Sequence, residues 1–97
     1  MAVSGHIMLD FYFQKPFKKQ LKLMQKQGRD LSKLHEVIDM IIKEEPLPPK
    51  NNDHPLHGKW EGSRDCHIEG DWVLIYRPNK TKRTVTFQRT GSHSDLF

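Results

Sequence analysis

The chain has 97 residues, which is enough for one small domain and leaves little room for a second. Its net charge of +4 predicts a polyanionic partner, and RNA, DNA, a membrane surface and an acidic protein all qualify. The single cysteine excludes an intrachain disulfide and fits a reducing compartment, and no apolar run approaches the ~20 residues that span a bilayer.

The first predicted strand follows a short segment that we set apart from the domain. Residues 1–7 are small and patternless and precede a second methionine, Met8, so we expect an expression remnant there and a single domain over 8–97. The stretch MLDFYFQ that begins at Met8 is aromatic and alternates in polarity, which predicts a strand.

Two amphipathic helices are predicted next. Pro16 suits the first turn of a helix that ends near Gly28, and Asp30 is placed to cap a second helix that ends before Pro46. The short turn between them predicts an antiparallel hairpin. A face that binds a polyanion such as RNA and an ordinary solvated face both explain the basic side of the first helix. Its lysines are Lys15, Lys18, Lys19, Lys22 and Lys26.

Three further strands are predicted after the loop KNNDHPLHG, in the segments GSRDCHIEG, DWVLIYRP and TKRTVTFQR. The fold class is therefore α+β: an N-terminal strand, a two-helix antiparallel hairpin, and a mainly antiparallel twisted sheet of three to four strands. In the first of these segments, alternation places Cys66 and Ile68 on the core side and Asp65, His67 and Glu69 on the other side.

Four histidines lie late in the chain, in segments that a sheet can bring together: His54, His57, His67 and His93. They could bind zinc, although no cysteine pair or HExxH motif accompanies them, or they could have no chemical role. In a third interpretation, one histidine takes the proton of a ribose 2′-hydroxyl and another protonates the leaving 5′-oxygen of an RNA. Asp53, Asp65 and Asp71 are near enough in sequence to orient an imidazole.

Two more residues are candidates for substrate binding. Arg89 lies shortly before His93 and either binds a phosphate or forms a surface salt bridge. Phe97 either fills the core, which the residues alone favour, or offers a surface on which a base stacks.

The run DHPLHGKWEGSRDCHIEGDWVLIYR and the tail FQRTGSHSDLF together resemble the YafQ branch of the RelE/YoeB-like toxins, within the ParE/RelE superfamily of type II toxin–antitoxin systems. The resemblance covers nearly all of 8–97. It implies a RelE-like microbial RNase fold and a metal-independent mRNA interferase of the bacterial cytoplasm that needs no cofactor. Such a toxin cuts mRNA in the ribosomal A site by attack of the 2′-hydroxyl, leaves a 2′,3′-cyclic phosphate and inhibits translation.

The resemblance also implies roles for individual residues. Matched to the family motifs by position, four residues are expected to act in proton transfer and orientation: His54, His67, Asp71 and His93. Arg89 is expected to contact the phosphate, and the expectation for Phe97 changes from the core to the active site, where it would stack on a base. His57 lies outside the motif and receives no role.

The implied partners are a DinJ-like acidic antitoxin that holds the toxin inactive, the 70S ribosome with its A-site mRNA, and ribosomal RNA. No membrane partner is expected. The alternative is a RelE-fold module that binds RNA or the ribosome and blocks translation without cleavage.

Overall fold

A five-stranded sheet with two helices on one face forms the fold. The computed structural model describes residues 8–97, so the expectation of a remnant over 1–7 lies outside the described residues. The strands are β1 (Asp10–Phe13), β2 (His54–Pro55), β3 (Arg64–Glu69), β4 (Trp72–Asn79) and β5 (Thr84–Ser92). The helices are α1 (Lys15–Lys26), α2 (Ser32–Ile42) and α3 (His93–Leu96), with short 3-10 turns at Pro49–Asn51 and Gly58–Trp60.

The strands lie in the order β1-β5-β4-β3-β2. β1 runs parallel to β5, and the other neighbouring strands run antiparallel, so the predicted α+β class with a mainly antiparallel sheet is confirmed. The sequence analysis missed β2, whose residues His54 and Pro55 lie in the segment read as a loop. Two residues are too few to show alternation, and β2 forms only by pairing with the distant β3.

The apolar side of each long helix faces the sheet. α1 has Pro16 in its first turn and packs Phe17 on β5, and Gly28 follows its end with a φ of +74°, which glycine adopts without strain. α2 packs on β3, and its N-cap is Leu31, one residue after the predicted cap Asp30. The Asp30 carboxylate instead accepts a hydrogen bond from the backbone N–H of Ser32 at 2.9 Å, just ahead of the helix. Among the described residues, no helix is both long and apolar enough to pass through a membrane.

The alternation of β3 divides its side chains between the two faces of the sheet. Cys66 is fully buried in the core under the helices, as predicted, while Asp65 and His67 lie on the other face. A bulge between His67 and Glu69 interrupts this alternation, and Glu69 forms an ion pair with Lys33 of α2. The sheet thus separates a helix side from a side that we call the histidine face, which is crossed by the paired residues His54, Asp65, Ile75 and Arg89.

Candidate active site

The histidine face collects side chains from three strands and from the C-terminal helix. His54 on β2 lies directly opposite Asp65 on β3, and His67 follows on the same face of β3. α3 begins at His93, whose backbone N–H donates to the carbonyl oxygen of Asp71 at 2.7 Å. This bond ties the end of β5 to the turn between β3 and β4, so residues far apart in sequence meet at one place.

Asp65 is the buried centre of this cluster. The residue is 1% exposed, and its Oδ2 lies 3.9 Å from Nε2 of His54. Burial raises the pKa of Asp65, while the neighbouring His54, His67 and His93 act in the opposite direction. Its Oδ1 is buried and has no hydrogen-bond partner within residues 8–97, which is unusual for a strong acceptor.

The ring of His54 is oriented by its own loop. Its Nδ1 lies 2.7 Å from the carbonyl oxygen of Asn52. Because a carbonyl oxygen can only accept a hydrogen bond, Nδ1 is the nitrogen that carries the proton. The neutral ring therefore keeps its lone pair on Nε2, on the side of Asp65, where it can accept a proton from a ligand.

His67 and Asp71, which the sequence also predicts to act in proton transfer and orientation, contact the cluster in different ways. His67 is half-buried on β3, and its backbone carbonyl accepts a hydrogen bond from the Asn51 side chain at 2.6 Å. Asp71 is exposed in the β3–β4 turn, and its contact with His93 is made by the backbone carbonyl instead of the carboxylate. The carboxylate of Asp71 thus lies at the rim of the site.

An aromatic and cationic group borders the histidines. The guanidinium carbon of Arg89 lies 5.6 Å from the ring centre of Trp60, and the Phe97 ring lies 6.4 Å from that of Trp60. The Phe97 and His93 rings are 4.7 Å apart. Phe97 is 49% exposed, so it does not fill the core and offers a ring face beside the catalytic candidates.

Sequence reasoning missed two members of this site. The sequence analysis names Asp65 only as one of three aspartates able to orient an imidazole, and it does not name Trp60. Alternation along β3 predicts that Asp65 shares a sheet face with His67, two residues later, but it does not predict that Asp65 is buried. For Trp60 no sequence signal was available, because its contacts with Arg89 and Phe97 come from a distant part of the chain.

Other candidates lie outside the cluster. His57 is exposed just before the Gly58–Trp60 turn. The lysines of α1 are all exposed, on a helix that packs against the helix side of the sheet. Within residues 8–97, no group of three or more histidine, cysteine or acidic side chains is arranged to hold a metal ion.

Comparison with known proteins identifies the family. Residues 9–97 match the family described as "Bacterial toxin of type II toxin-antitoxin system, YafQ". The "mRNA interferase toxin YafQ" of Escherichia coli strain K12 is 41% identical over 92 residues, which cover 94% of this chain and 98% of that protein.

Solved structures of similar toxins have the same fold as this chain. The toxin in the Escherichia coli DinJ-YafQ toxin-antitoxin complex has a TM-score of 0.85 at 40% identity, and covers 94% of this chain and 99% of its own. A metal-bound toxin from Helicobacter pylori has a TM-score of 0.86 at 42% identity, and covers 93% of this chain and 100% of its own. The chain belongs to the YafQ family of toxins of bacterial type II toxin-antitoxin systems.

Proposed function

We propose that this protein is a metal-independent endoribonuclease, a ribosome-dependent mRNA interferase that cleaves mRNA in the ribosomal A site and thereby inhibits translation in the bacterial cytoplasm. The observation that supports it most is a buried carboxylate, Asp65, facing three histidines on one side of the sheet. Paired imidazoles with a nearby guanidinium provide the base, the acid and the positive charge that cleavage of an RNA phosphodiester requires.

In the proposed reaction, the 2′-hydroxyl of the ribose attacks the adjacent phosphorus. Nε2 of His54 takes the hydroxyl proton, since Nδ1 already donates to the Asn52 carbonyl. The new bond joins the 2′-oxygen to phosphorus, and the bond from phosphorus to the 5′-oxygen breaks as the imidazolium of His93 gives that oxygen a proton. The products are a 2′,3′-cyclic phosphate and a free 5′-hydroxyl.

The remaining site residues support this step. Arg89 stabilises the charge that develops on the phosphoryl oxygens, and its position over Trp60 limits its movement. His67, beside Asp65, and Asp71, at the rim of the site, act in proton transfer and orientation. Phe97 stacks on a base of the codon, since its ring is half-exposed and adjacent to His93.

The partners follow from the same proposal. The exposed lysines of α1 meet ribosomal RNA, and an acidic DinJ-like antitoxin holds the toxin inactive, in keeping with a net charge of +4. The relative in the DinJ-YafQ complex supports an antitoxin of this kind.

A reconstituted translation system, with mapping of mRNA 5′ ends, tests the activity. The wild-type protein should cut within the A-site codon, and His93→Gln should slow cleavage at least ~100-fold because the leaving oxygen loses its acid. His57→Gln is the matched control, since His57 is exposed and has no assigned role, and it should cleave normally. Stalled ribosomes with intact mRNA would instead favour a toxin that blocks translation without cutting RNA.

A further inference from the structure

His54 sits in the weakest element of the sheet. β2 has two residues, paired as His54 with Asp65 and Pro55 with Arg64, and proline has no N–H to donate to a neighbouring strand. After β2, the backbone N–H of Leu56 donates a hydrogen bond to the carbonyl oxygen of Ser63 at 2.9 Å. Before β2, the chain bends at Asn52, which has a φ of +44°. Backbone hydrogen bonds between strands therefore do little to fix the loop that precedes His54.

The residue just before His54 supplies that support. Oδ1 of Asp53 accepts a hydrogen bond from the Tyr76 hydroxyl at 2.6 Å and another from Nε of Arg64 at 3.2 Å. We call these three residues the Asp53 clamp. Because Tyr76 is on β4 and Arg64 is on β3, the clamp fastens the loop to two strands of the sheet.

The clamp acts from the side of the sheet opposite the histidines. Tyr76 is 5% exposed, and its ring packs in the core near Phe87, with the ring centres 6.4 Å apart. Burial raises the pKa of the Tyr76 hydroxyl, and its bond to Asp53 raises it further, so the hydroxyl remains a donor at physiological pH. Side chains alternate along an extended chain, so Asp53 faces the helix side while His54 faces the histidine face.

The two residues before Asp53 also form hydrogen bonds with the histidine cluster. The carbonyl of Asn52, one residue before Asp53, is the group that holds Nδ1 of His54. Asn51 is buried, and its side chain binds the carbonyl of His67. Three successive residues of one loop therefore each fix a part of the histidine cluster, and Asp53 is the one whose anchors are side chains of the sheet.

We propose that Asp53, held by Tyr76 and Arg64, is a positioning residue that fixes the loop before His54 and so directs the His54 imidazole at the reacting 2′-hydroxyl. The proposal rests on the proposed function for its catalytic consequence. Its structural part, the control of the His54 ring by a bond on the far side of the sheet, is independent of the reaction. If the clamp only stabilised the fold, a variant that breaks it but remains folded would keep the His54 ring in its wild-type orientation.

Tyr76→Phe is the first test, because it removes one hydroxyl and keeps the ring in the core. We expect the single-turnover cleavage rate on ribosome-bound mRNA to fall roughly 10- to 100-fold, with little change in the toxin concentration that gives half the maximal rate. In NMR spectra of the free protein, the Nδ1–H signal of His54 should broaden or exchange faster. Tyr12→Phe, an exposed tyrosine on β1, is the matched control and should change neither measurement.

Two substitutions of Asp53 separate positioning from charge. Asp53→Asn keeps an oxygen that accepts from Tyr76 and should retain most of the cleavage rate, whereas Asp53→Ala should behave like Tyr76→Phe. The double variant Tyr76→Phe with Asp53→Ala should be no slower than either single variant, because both break the same link. Additive losses, or a folded Tyr76→Phe with an unchanged His54 signal, would overturn the proposal.

The two proposals fail in different ways. If no variant and no wild-type protein cleaves mRNA, the proposed function is wrong, yet the NMR signal of His54 still decides whether the clamp holds the ring. If the wild type cleaves, His54→Gln does not, and Tyr76→Phe cleaves at the wild-type rate, then the clamp is wrong and the proposed function stands.

Discussion

Asp65 combines complete burial with an incomplete set of hydrogen bonds. An ionised carboxylate in such a position weakens the fold, since it has left water without full compensation. Groups of this kind are common where a protein must bind or turn over a ligand, because the strain is relieved when the ligand arrives. The buried charge of Asp65 is therefore expected to lower the stability of the fold and to favour activity.

Asp65→Asn should raise stability and lower activity. A raised pKa in the fold means that Asp65 contributes stability below its ordinary pKa of 3.8 and that this contribution is lost as pH rises through the folded value. At pH 7 the uncharged amide should increase the free energy of unfolding by about 1 kcal/mol. Denaturant titrations at pH 7 and below pH ~4 test this, since the gain should vanish where the aspartate is itself neutral.

Asp10→Asn is the control for that experiment, because Asp10 is exposed and its substitution should not alter stability at either pH. Cleavage by Asp65→Asn should be slower than by the wild type, as the histidines lose the charge that they face. A variant that is less stable at pH 7 and regains stability in acid would contradict this account of the buried carboxylate.

At the residue scale, the sequence was informative where a residue type carries its own chemistry. The histidines and Arg89 could be proposed from their chemistry and from the family resemblance. Asp65 and Trp60 could not be singled out, because their importance depends on which distant side chains surround them. Burial of a carboxylate between three segments, and the stacking of Arg89 on Trp60, exist only after the sheet has formed.

The elements differ in how strongly local sequence determines them. α1 and α2 were predictable because their apolar periodicity, Pro16 and Gly28 act within one or two turns. β2 was not, because a two-residue strand containing Pro55 owes its conformation to β3 and to the Asp53 clamp. The element that carries His54 is thus the one that the local sequence specifies least.

The lysines of α1 should govern binding without governing chemistry. Lys18→Gln with Lys22→Gln should weaken ribosome binding by roughly tenfold at low salt and reduce its dependence on salt, because fewer counterions are released. The cleavage rate at saturating toxin should not change, since α1 packs on the helix side of the sheet. Binding titrations across a range of salt concentrations measure the first effect, and single-turnover kinetics measure the second.

A matched pair on another element tests whether the effect is local. Lys80→Gln with Lys82→Gln removes the same charge from the exposed turn between β4 and β5. Equal losses from the two pairs would mean that net charge alone drives association and that α1 has no special place in it.

For the whole molecule, the sheet acts as a partition between two surfaces. The helix side carries the core, the basic helix and the Asp53 clamp, and the histidine face carries the proposed chemistry. The proposed contacts with the ribosome and the proposed cleavage of RNA can therefore be altered separately. The clamp is the exception, since it links a buried hydroxyl on one side to an imidazole on the other.

Removal of metal from the whole protein should leave its activity unchanged. Toxin treated with EDTA and then desalted, so that the ribosomes keep their magnesium, should cleave at the untreated rate if histidines carry the reaction. Activity that is lost on treatment and restored by a transition metal would show that the histidine face takes up an ion, and would require a different mechanism.

The buried position of Cys66 has a practical consequence. Burial raises the pKa of its thiol, so the thiolate that maleimides attack is scarce, and the chain should behave towards such reagents as though it had no cysteine. A cysteine introduced at the exposed Thr81 by Thr81→Cys would then accept a single fluorophore without prior removal of Cys66. Dye-labelled protein of this kind would allow the proposed binding to individual ribosomes, and the release from them, to be timed.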